Sequence, residues 1–587
     1  MAGRVDDRNP SLIHNKQEVN ELRFGSGQIP GWFIVALIPV FFLILFYILP
    51  VYEIFQKSFS GVVLQDAGSH IWSIVSKSLG FTVWQAFLST VFTLMLGLPA
   101  AYVLYKVQFR GRTIIRTITA IPFILPTVVV AAGINAFIGP RGWINLVLQQ
   151  LFSLNTPPIQ IIGTLSAILI AHVFYNLTIV IRLVGSAWSG LNPRLEAAAR
   201  TLGAGPFKTF WYVTLPLLRP VIAAAAILVF LFDFTSFGVI LLLGGPGFAT
   251  LEVEVFTQAM ALFNLPLASI LAFIQMVCTL ILTLVYQYFS SRPVPLVPAA
   301  EKDTTVITTN RSQKLLIATT VIILMLLILT PLVSLVARSF IRVDADRGQR
   351  VSFSPGFTLD YYQALATNPR QDYFYIPPVS AIWNSVKYGV ITSFSSLILG
   401  LMIVYGFKRG NKNRSVFDTL LMIPLGTSAV TLGLGYIIFF NKPPFLWGAS
   451  QWLIPMAHTL VALPFVVRGL IPAVFSIPES YRQSAAVLGA SPWKVIRSID
   501  LPIIRSILIS SLVFSFTISL GEFGATSFLS RPDYPTIPIA IFRFLSQPGG
   551  LNYGQAMAMS TILMLVCALG IVFIEKSIFT ASDTVKL

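Results

Sequence analysis

The chain has 587 residues, 55% of them hydrophobic and only 11% charged, against about 25% charged residues in soluble globular domains. This excludes a water-soluble domain, and two cysteines, Cys278 and Cys567, exclude a disulfide framework. The formal net charge of +17 does not point to nucleic acid, because the Lys and Arg gather in short loops between apolar runs, the positive-inside pattern of a membrane protein.

Each apolar run is near the roughly 20 residues an α-helix needs to cross the hydrocarbon core. In lipid every backbone polar group must be satisfied internally, so the runs are expected to be helices. Residues 1–30 form a polar N-terminal tail, too long and too polar for a secretory signal. "WFIVALIPVFFLILFYILPVY" (32–52) is then a retained first span. Spans are predicted at about 31–52, 81–104, 113–137, 160–187, 217–243 and 266–289, giving a first six-helix half over 31–290. A polar linker follows at 291–314. The second half, 315–577, has predicted spans at 315–338, 385–406, 416–440, 451–473, 503–528 and 554–575, with a short tail at 578–587. The expected fold is an all-α polytopic membrane protein of about 12 transmembrane helices, arranged as two parallel six-helix repeats.

Loop charge sets the orientation. Lys106, Arg110, Arg112 and Arg116 follow the second span, and Lys408, Arg409, Lys412 and Arg414 follow the eighth. With both sets inside, both termini are cytoplasmic. The long loop at 339–384 mixes Arg342, Arg347, Arg350 and Arg370 with Asp344, Asp346, Asp360 and Asp372, a near balance that suits the outer side.

One stretch between the fourth and fifth spans breaks the apolar pattern and returns. "RTLGAGPFKTFWYVTLP" (200–216) reappears as "AVLGASPWKVIRSIDLP" (486–502), 286 residues on. At that offset His172 matches His458, Arg182 matches Arg468, Gly203 matches Gly489, Pro206 matches Pro492 and Lys208 matches Lys494. Pro216 matches Pro502, Arg219 matches Arg505, Phe237-Gly238 matches Phe523-Gly524, and Thr250 matches Thr536. An even number of spans separates the copies, so they point the same way, with a pseudo-twofold axis along the membrane normal and a pathway at their interface.

Each copy, at about 193–216 and 479–502, reads as helix, break, helix. Pro193 suits a first helical turn. "RLEAAARTL" is rich in helix formers, and Gly203 suits a left-handed terminus. Pro206 suits the start of a second helix through Lys208 and Trp211, and Pro216 marks re-entry into the membrane. The expected product is a short helix on the cytoplasmic surface.

This segment resembles the EAA loop of ATP-binding-cassette importer permeases: EAA, three residues, Gly, nine residues, Ile, one residue, Leu-Pro. Gly203 is followed at that spacing by Val213, Leu215 and Pro216, and Gly489 by Ile499, Leu501 and Pro502. The glutamate position departs from the pattern: it holds Ala197, with Glu196 one residue early, and Gln483 in the second copy. The fused two-half layout resembles permeases of the thiamine and iron(III) type. "FTSFGVILLLGGPGFATLEVEVFTQAM" (234–260), "LAFIQMVC" (271–278) and "SLGEFGATSFLSRPDYPTIPIAIF" (519–542) look most like the thiamine permeases.

The resemblance implies a non-catalytic subunit of the bacterial inner membrane whose two loops dock on two copies of a separate ATPase. ATP and Mg would be used by that partner, no cofactor by this chain. An extracytoplasmic solute-binding protein would deliver the cargo and lipid would surround the spans. "GAGPFKT" (203–209) imitates a phosphate-binding loop, but Phe207 replaces the second Gly and no strand precedes it.

Ionisable groups inside spans are costly and often functional. Asp233 and Glu522, with the neighbouring Phe237 and Phe523, are therefore candidate pathway residues for a cationic solute. His172 and His458 lack companions at metal-ligand spacing and read as interhelical hydrogen-bonding groups. Arg182 and Arg468 read as snorkelling to the interface, while Pro122, Pro126, Gly133, Pro424 and Gly426 read as kinks. The rival readings are an ion-gradient transporter, which has no use for two Gly and Leu-Pro loops, and a membrane enzyme, which needs a polar cluster that four scattered histidines do not supply.

Overall fold

The computed structural model describes residues 31–59, 68–290, 306–307, 311–342, 356–367, 377–408, 426–448 and 450–584. The tail 1–30, most of the linker 291–314, Arg347, Arg350, Arg370, Asp344, Asp346, Asp372, Arg409, Lys412, Arg414 and Pro424 lie outside them. The first half comprises α1 (Leu37–Ser58), α2 (Ser69–Lys106), α3 (Thr127–Ile138), α4 (Leu165–Ser189), the loop helix α5 (Pro193–Thr201), α6 (Leu215–Phe234), two short helices α7 (Gly238–Leu243) and α8 (Leu251–Phe256), and α9 (Leu265–Ser290). The second half repeats the order: α10 (Arg311–Phe340), α11 (Pro378–Lys408), α12 (Ala429–Phe440), α13 (Leu453–Phe475), α14 (Glu479–Val487), α15 (Arg505–Gly521), α16 (Gly524–Leu529), α17 (Ile537–Ser546) and α18 (Gly550–Thr584). From α5 to the start of α17 the two halves keep the offset of 286. Before α4 the offset is larger, because helix Trp143–Phe152 and its flanks lengthen the α3–α4 connection.

Among the described residues ten helices are long and apolar enough to cross a membrane, or eleven if the bent pair Pro492–Ile503 and Arg505–Gly521 is one span. The ninth predicted span is represented by α12 alone, since 416–425 lie outside the described residues. Three predicted spans are broken where continuous helices were expected. The third turns extended at Leu125 and Pro126, as its prolines require. The fifth stops at Phe234 and restarts at Gly238; the eleventh stops at Gly521 and restarts at Gly524. Discontinuous helices are tolerated at membrane depth where they line a cavity.

The halves exchange their first helices. α1 packs on α11 and α12 of the second half, and α10 packs on α3 and α2 of the first. The contacts match in detail: a Cβ at Gly133 would meet Pro331 O at 3.0 Å, and one at Gly435 would meet Pro50 Cβ at 3.1 Å. Gly133 is therefore a packing glycine inside an unbroken α3, not a kink. Tyr47 on α1 adds a hydroxyl contact of 2.6 Å to Thr427. The largest apolar core draws Val128–Val130, Phe237, Leu520, Phe523 and Ala556–Met559 from both halves, so the seam runs through it. Among the described residues of the linker, Val306–Ile307 pairs in parallel with Val107–Gln108. Cys278 and Cys567 are free, and Cys567 is buried.

Candidate functional site

The repeated loops share one backbone design. Pro193 occupies the first turn of α5, whose N-cap Asn192 accepts from Arg194 N at 3.0 Å. The helix ends at Gly203 with φ +83°, and α14 ends at Gly489 with φ +79°. In both copies the residue after the Gly donates to the carbonyl five back and the Gly itself donates to the one three back, all at 3.0 Å: Ala204 to Ala199, Gly203 to Arg200, Ala490 to Ala485 and Gly489 to Ala486. This is the Schellman termination, which needs a left-handed residue at the glycine position.

The second helix is not a separate surface element as expected. Pro206–Thr209 runs through a π-helical segment, Phe210–Thr214, directly into α6. Pro216 has no N–H to donate. The wide turn just before it is closed by Leu215 N on Phe210 O. In the second half Pro492–Val495 and the π segment Ile496–Asp500 lead to a bend of 76° before α15.

Glu196 is tied to the π segment, accepting from Thr214 Oγ1 at 3.0 Å. At the matched positions stand Arg482 and Asp500, joined at 2.9 Å. Tyr405 donates to the same carboxylate at 3.0 Å. The tie survives with its charge reversed, so the second loop lacks the glutamate without losing the fastening. Ala197, Gln483, Lys208, Lys494, Pro206, Pro492, Pro216 and Pro502 are exposed, and Leu215 and Leu501 are half-buried. Matched apolar side chains also stand in the open: Leu202 and Leu488, Phe207 and Trp493, Leu195 and Tyr481.

A cavity of about 580 Å³ lies on the seam between the halves. α6 runs from its loop to the cavity over 20 residues, about 30 Å at 1.5 Å per residue. Beyond the ends of α6 and α15 remote from the loops, the cavity is lined by Phe237 and Phe523, both buried, whose rings stack at 5.4 Å. Phe256 flanks Phe237 at 5.4 Å, and its counterpart Phe542 flanks Phe523 at 5.5 Å. Four rings thus form a symmetric row across the pseudo-twofold axis. The glycine after each Phe permits close packing: a Cβ at Gly238 would stand 2.5 Å from Thr127 Oγ1 and 3.1 Å from the Phe523 ring.

The breaks in the fifth and eleventh spans free backbone groups, and nearby side chains meet them. Glu522 lies between α15 and α16; its carboxylate accepts from Ala525 N at 2.9 Å, Thr526 N at 3.0 Å and Thr526 Oγ1 at 2.6 Å. Anionic groups are favoured at a helix start. In the first half Ser236 holds the matching place and meets His172 Nε2 at 2.8 Å.

The histidines are interhelical ties, as expected. His172 also meets Ser89 at 3.0 Å through Nδ1, with Asp233 Oδ1 at 3.3 Å on the same side. His458 meets Ser519 through Nδ1 at 2.7 Å, and through Nε2 meets Thr526 at 2.8 Å and Glu522 Oε2 at 3.2 Å. Asp233 matches Ser519 and Ser236 matches Glu522, so the carboxylate changes ring side between the halves.

Asp233, Phe237, Glu522 and Phe523 all line the cavity. Sequence reading missed Glu252, also buried in its wall and accepting from Gln275 Nε2 at 2.9 Å. It lies on α8, too short to register as a span, and the doubled "EVE" was the available signal. Arg468 is exposed and forms part of the cavity wall; Arg182 is exposed as well.

A cavity on the seam between two like halves, with a matched pair of loops at the far ends of the helices that reach it, is a layout that suits a solute permease. The chain belongs to the family described as "Binding-protein-dependent transport system inner membrane component", which matches residues 93–294 and 393–578. It is 26% identical over 560 residues to the thiamine transport system permease protein ThiP of Salmonella typhimurium, covering 93% of this chain and 97% of that one. It is 24% identical to ThiP of Brucella abortus over 513 residues, covering 86% and 88%. The ferric transport system permease protein FbpB of Actinobacillus pleuropneumoniae is 24% identical over 556 residues, covering 92% and 77%. The chain is thus a multi-span protein of a bacterial inner-membrane permease family.

Proposed function

We propose that this chain is the membrane-spanning subunit of an ATP-driven importer of thiamine, fed by an external binding protein and powered by two copies of a separate ATPase. The observation that carries the coupling is the pair of Schellman-ended loop helices, alike in backbone and in exposed apolar side chains, at one end of the two halves. Two like knobs suit a motor that closes as a symmetric dimer. The substrate reading rests on thiamine permeases that match nearly the whole chain; a ferric ion is the second choice on the likeness to FbpB.

In this reading the loops and both termini are cytoplasmic, and the Phe237–Phe523 row faces outward. The structure is then the inward-facing resting form. Closure of the ATPase dimer draws the loops together and parts the aromatic row, and hydrolysis resets it. Closure drives the change only as far as nucleotide-bound ATPase favours one permease form over the other.

Proteoliposomes holding the permease, its ATPase and its binding protein test the proposal. ATP-dependent uptake of labelled thiamine is expected, and the ATPase should co-purify at about two copies per chain. Uptake by the purified chain without an ATPase overturns the coupling, and an active complex that ignores thiamine overturns the substrate.

A further inference from the structure

We propose that the cavity carries its own recognition site for an aromatic organic cation, built on Asp233 and Glu252. Glu522 serves mainly as the cap of a helix. The inference deepens the pathway reading above and rests on it. Asp233 is buried to 1% exposure and lines the cavity; Oδ1 accepts from Asn176 Nδ2 at 2.6 Å, while Oδ2 has no hydrogen-bond partner among the described residues. A buried polar atom without a partner is costly, and a carboxylate oxygen more so. A carboxylate in that state, on a residue that lines a cavity, is stabilised by a donor or cation bound in the cavity.

Glu252 stands in the same wall, bonded to Gln275 and within electrostatic reach of Glu522. All three carboxylates lie toward the aromatic end. The basic side chain of the wall, Arg468, lies ten residues beyond His458 on α13, about 15 Å further along the helix. Phe237 and Phe523 add aromatic surface beside the negative end, which suits a flat cation by ring contact as well as charge. The volume of about 580 Å³ is that of an ordinary small-molecule site.

The repeat sharpens the inference. The scaffold of the cavity is twofold (Phe237 with Phe523, Gly238 with Gly524), but every carboxylate breaks the symmetry. Asp233 is matched by Ser519 in the other half, Glu252 by Pro538, and Glu522 by Ser236. A site charged on one side holds an unsymmetrical solute in one orientation.

The test is equilibrium binding to the permease–ATPase complex in nanodiscs, without binding protein, using benzyltrimethylammonium and its neutral carbon isostere neopentylbenzene. Saturable binding of the cation and none of the neutral probe is expected, weakened about tenfold or more by Asp233→Asn and by Glu252→Gln. Equal binding of the two probes, no saturable cation binding, or full-strength binding in both variants overturns the site. The wild-type comparison of probes stands even if a variant fails to assemble. Thiamine uptake is scored separately, so a transporter that moves thiamine but shows no cation site refutes this inference alone. One that binds the cation and ignores thiamine refutes the substrate reading alone.

Discussion

The rings of Phe237 and Phe523, 286 residues apart, stack at 5.4 Å between centroids with planes 24° from parallel. Each follows the break in its span and precedes a glycine, so the two halves meet ring to ring on their common axis. An aromatic pair of this kind is worth about 0.5–1.5 kcal/mol beyond its buried area. Phe237→Ala and Phe523→Ala should each shift the balance toward an open barrier. The check is modification of a cysteine placed at Ser236 by a reagent added on the side away from the loops. Faster labelling in both variants is expected, and an unchanged rate in both removes the barrier role.

Gly238 packs closely within the same row, with no room for a Cβ. Gly238→Ala should weaken closure, and Gly238→Val should abolish transport, because added atoms collide with Thr127 and with the Phe523 ring. Overpacking costs about 1–3 kcal/mol. Uptake that is equal in glycine, alanine and valine forms would show that the contact is loose.

The loop glycines face open space, with nothing within 4 Å of a Cβ at Gly203 or Gly489. A substitution there acts through φ alone. Gly203→Val or Gly489→Val should cost about 1–2 kcal/mol of helix-end strain and lower binding-protein-stimulated ATP hydrolysis in the assembled transporter. Full stimulation in both variants tells against the docking role of the loops.

Arg482→Ala should destabilise the protein more than Glu196→Ala. The first leaves the carboxylate of Asp500, 2% exposed, without its cation, a loss of about 3–5 kcal/mol for a buried pair. The second removes one hydrogen bond to a hydroxyl, about 1 kcal/mol. Arg482→Glu combined with Asp500→Thr transplants the first-half pair and should recover most of the loss in thermal melting. No recovery means the two ties are not equivalent.

Glu522→Gln keeps the shape of the helix cap but loses the charge that suits the start of α16. Lower uptake at normal expression is expected, and unchanged transport in proteoliposomes would refute a role for the charge.

The hydropathy pattern made the helices and their parallel order legible, and the spacing of Gly and Leu-Pro made the loop helices legible down to their left-handed ends. The breaks at Thr235–Phe237 and at Glu522 were hidden, because a window of twenty residues averages over a gap of two or three. The Arg482–Asp500 tie was hidden for another reason: its partners are 18 residues apart and carry the reverse of the first-half chemistry. The exchange of α1 and α10 between halves depends on packing against Gly435 and Gly133, which no local pattern in the chain encodes.

The parallel pairing of Val306–Ile307 with Val107–Gln108 records that both lobes travel as one polypeptide. A transporter assembled from two copies of a single gene product must accept every mutation twice, on walls related by the twofold axis. Covalent fusion lifts that constraint. It leaves the loop helices and the aromatic row duplicated while the interior is free to become lopsided, as an asymmetric passenger requires.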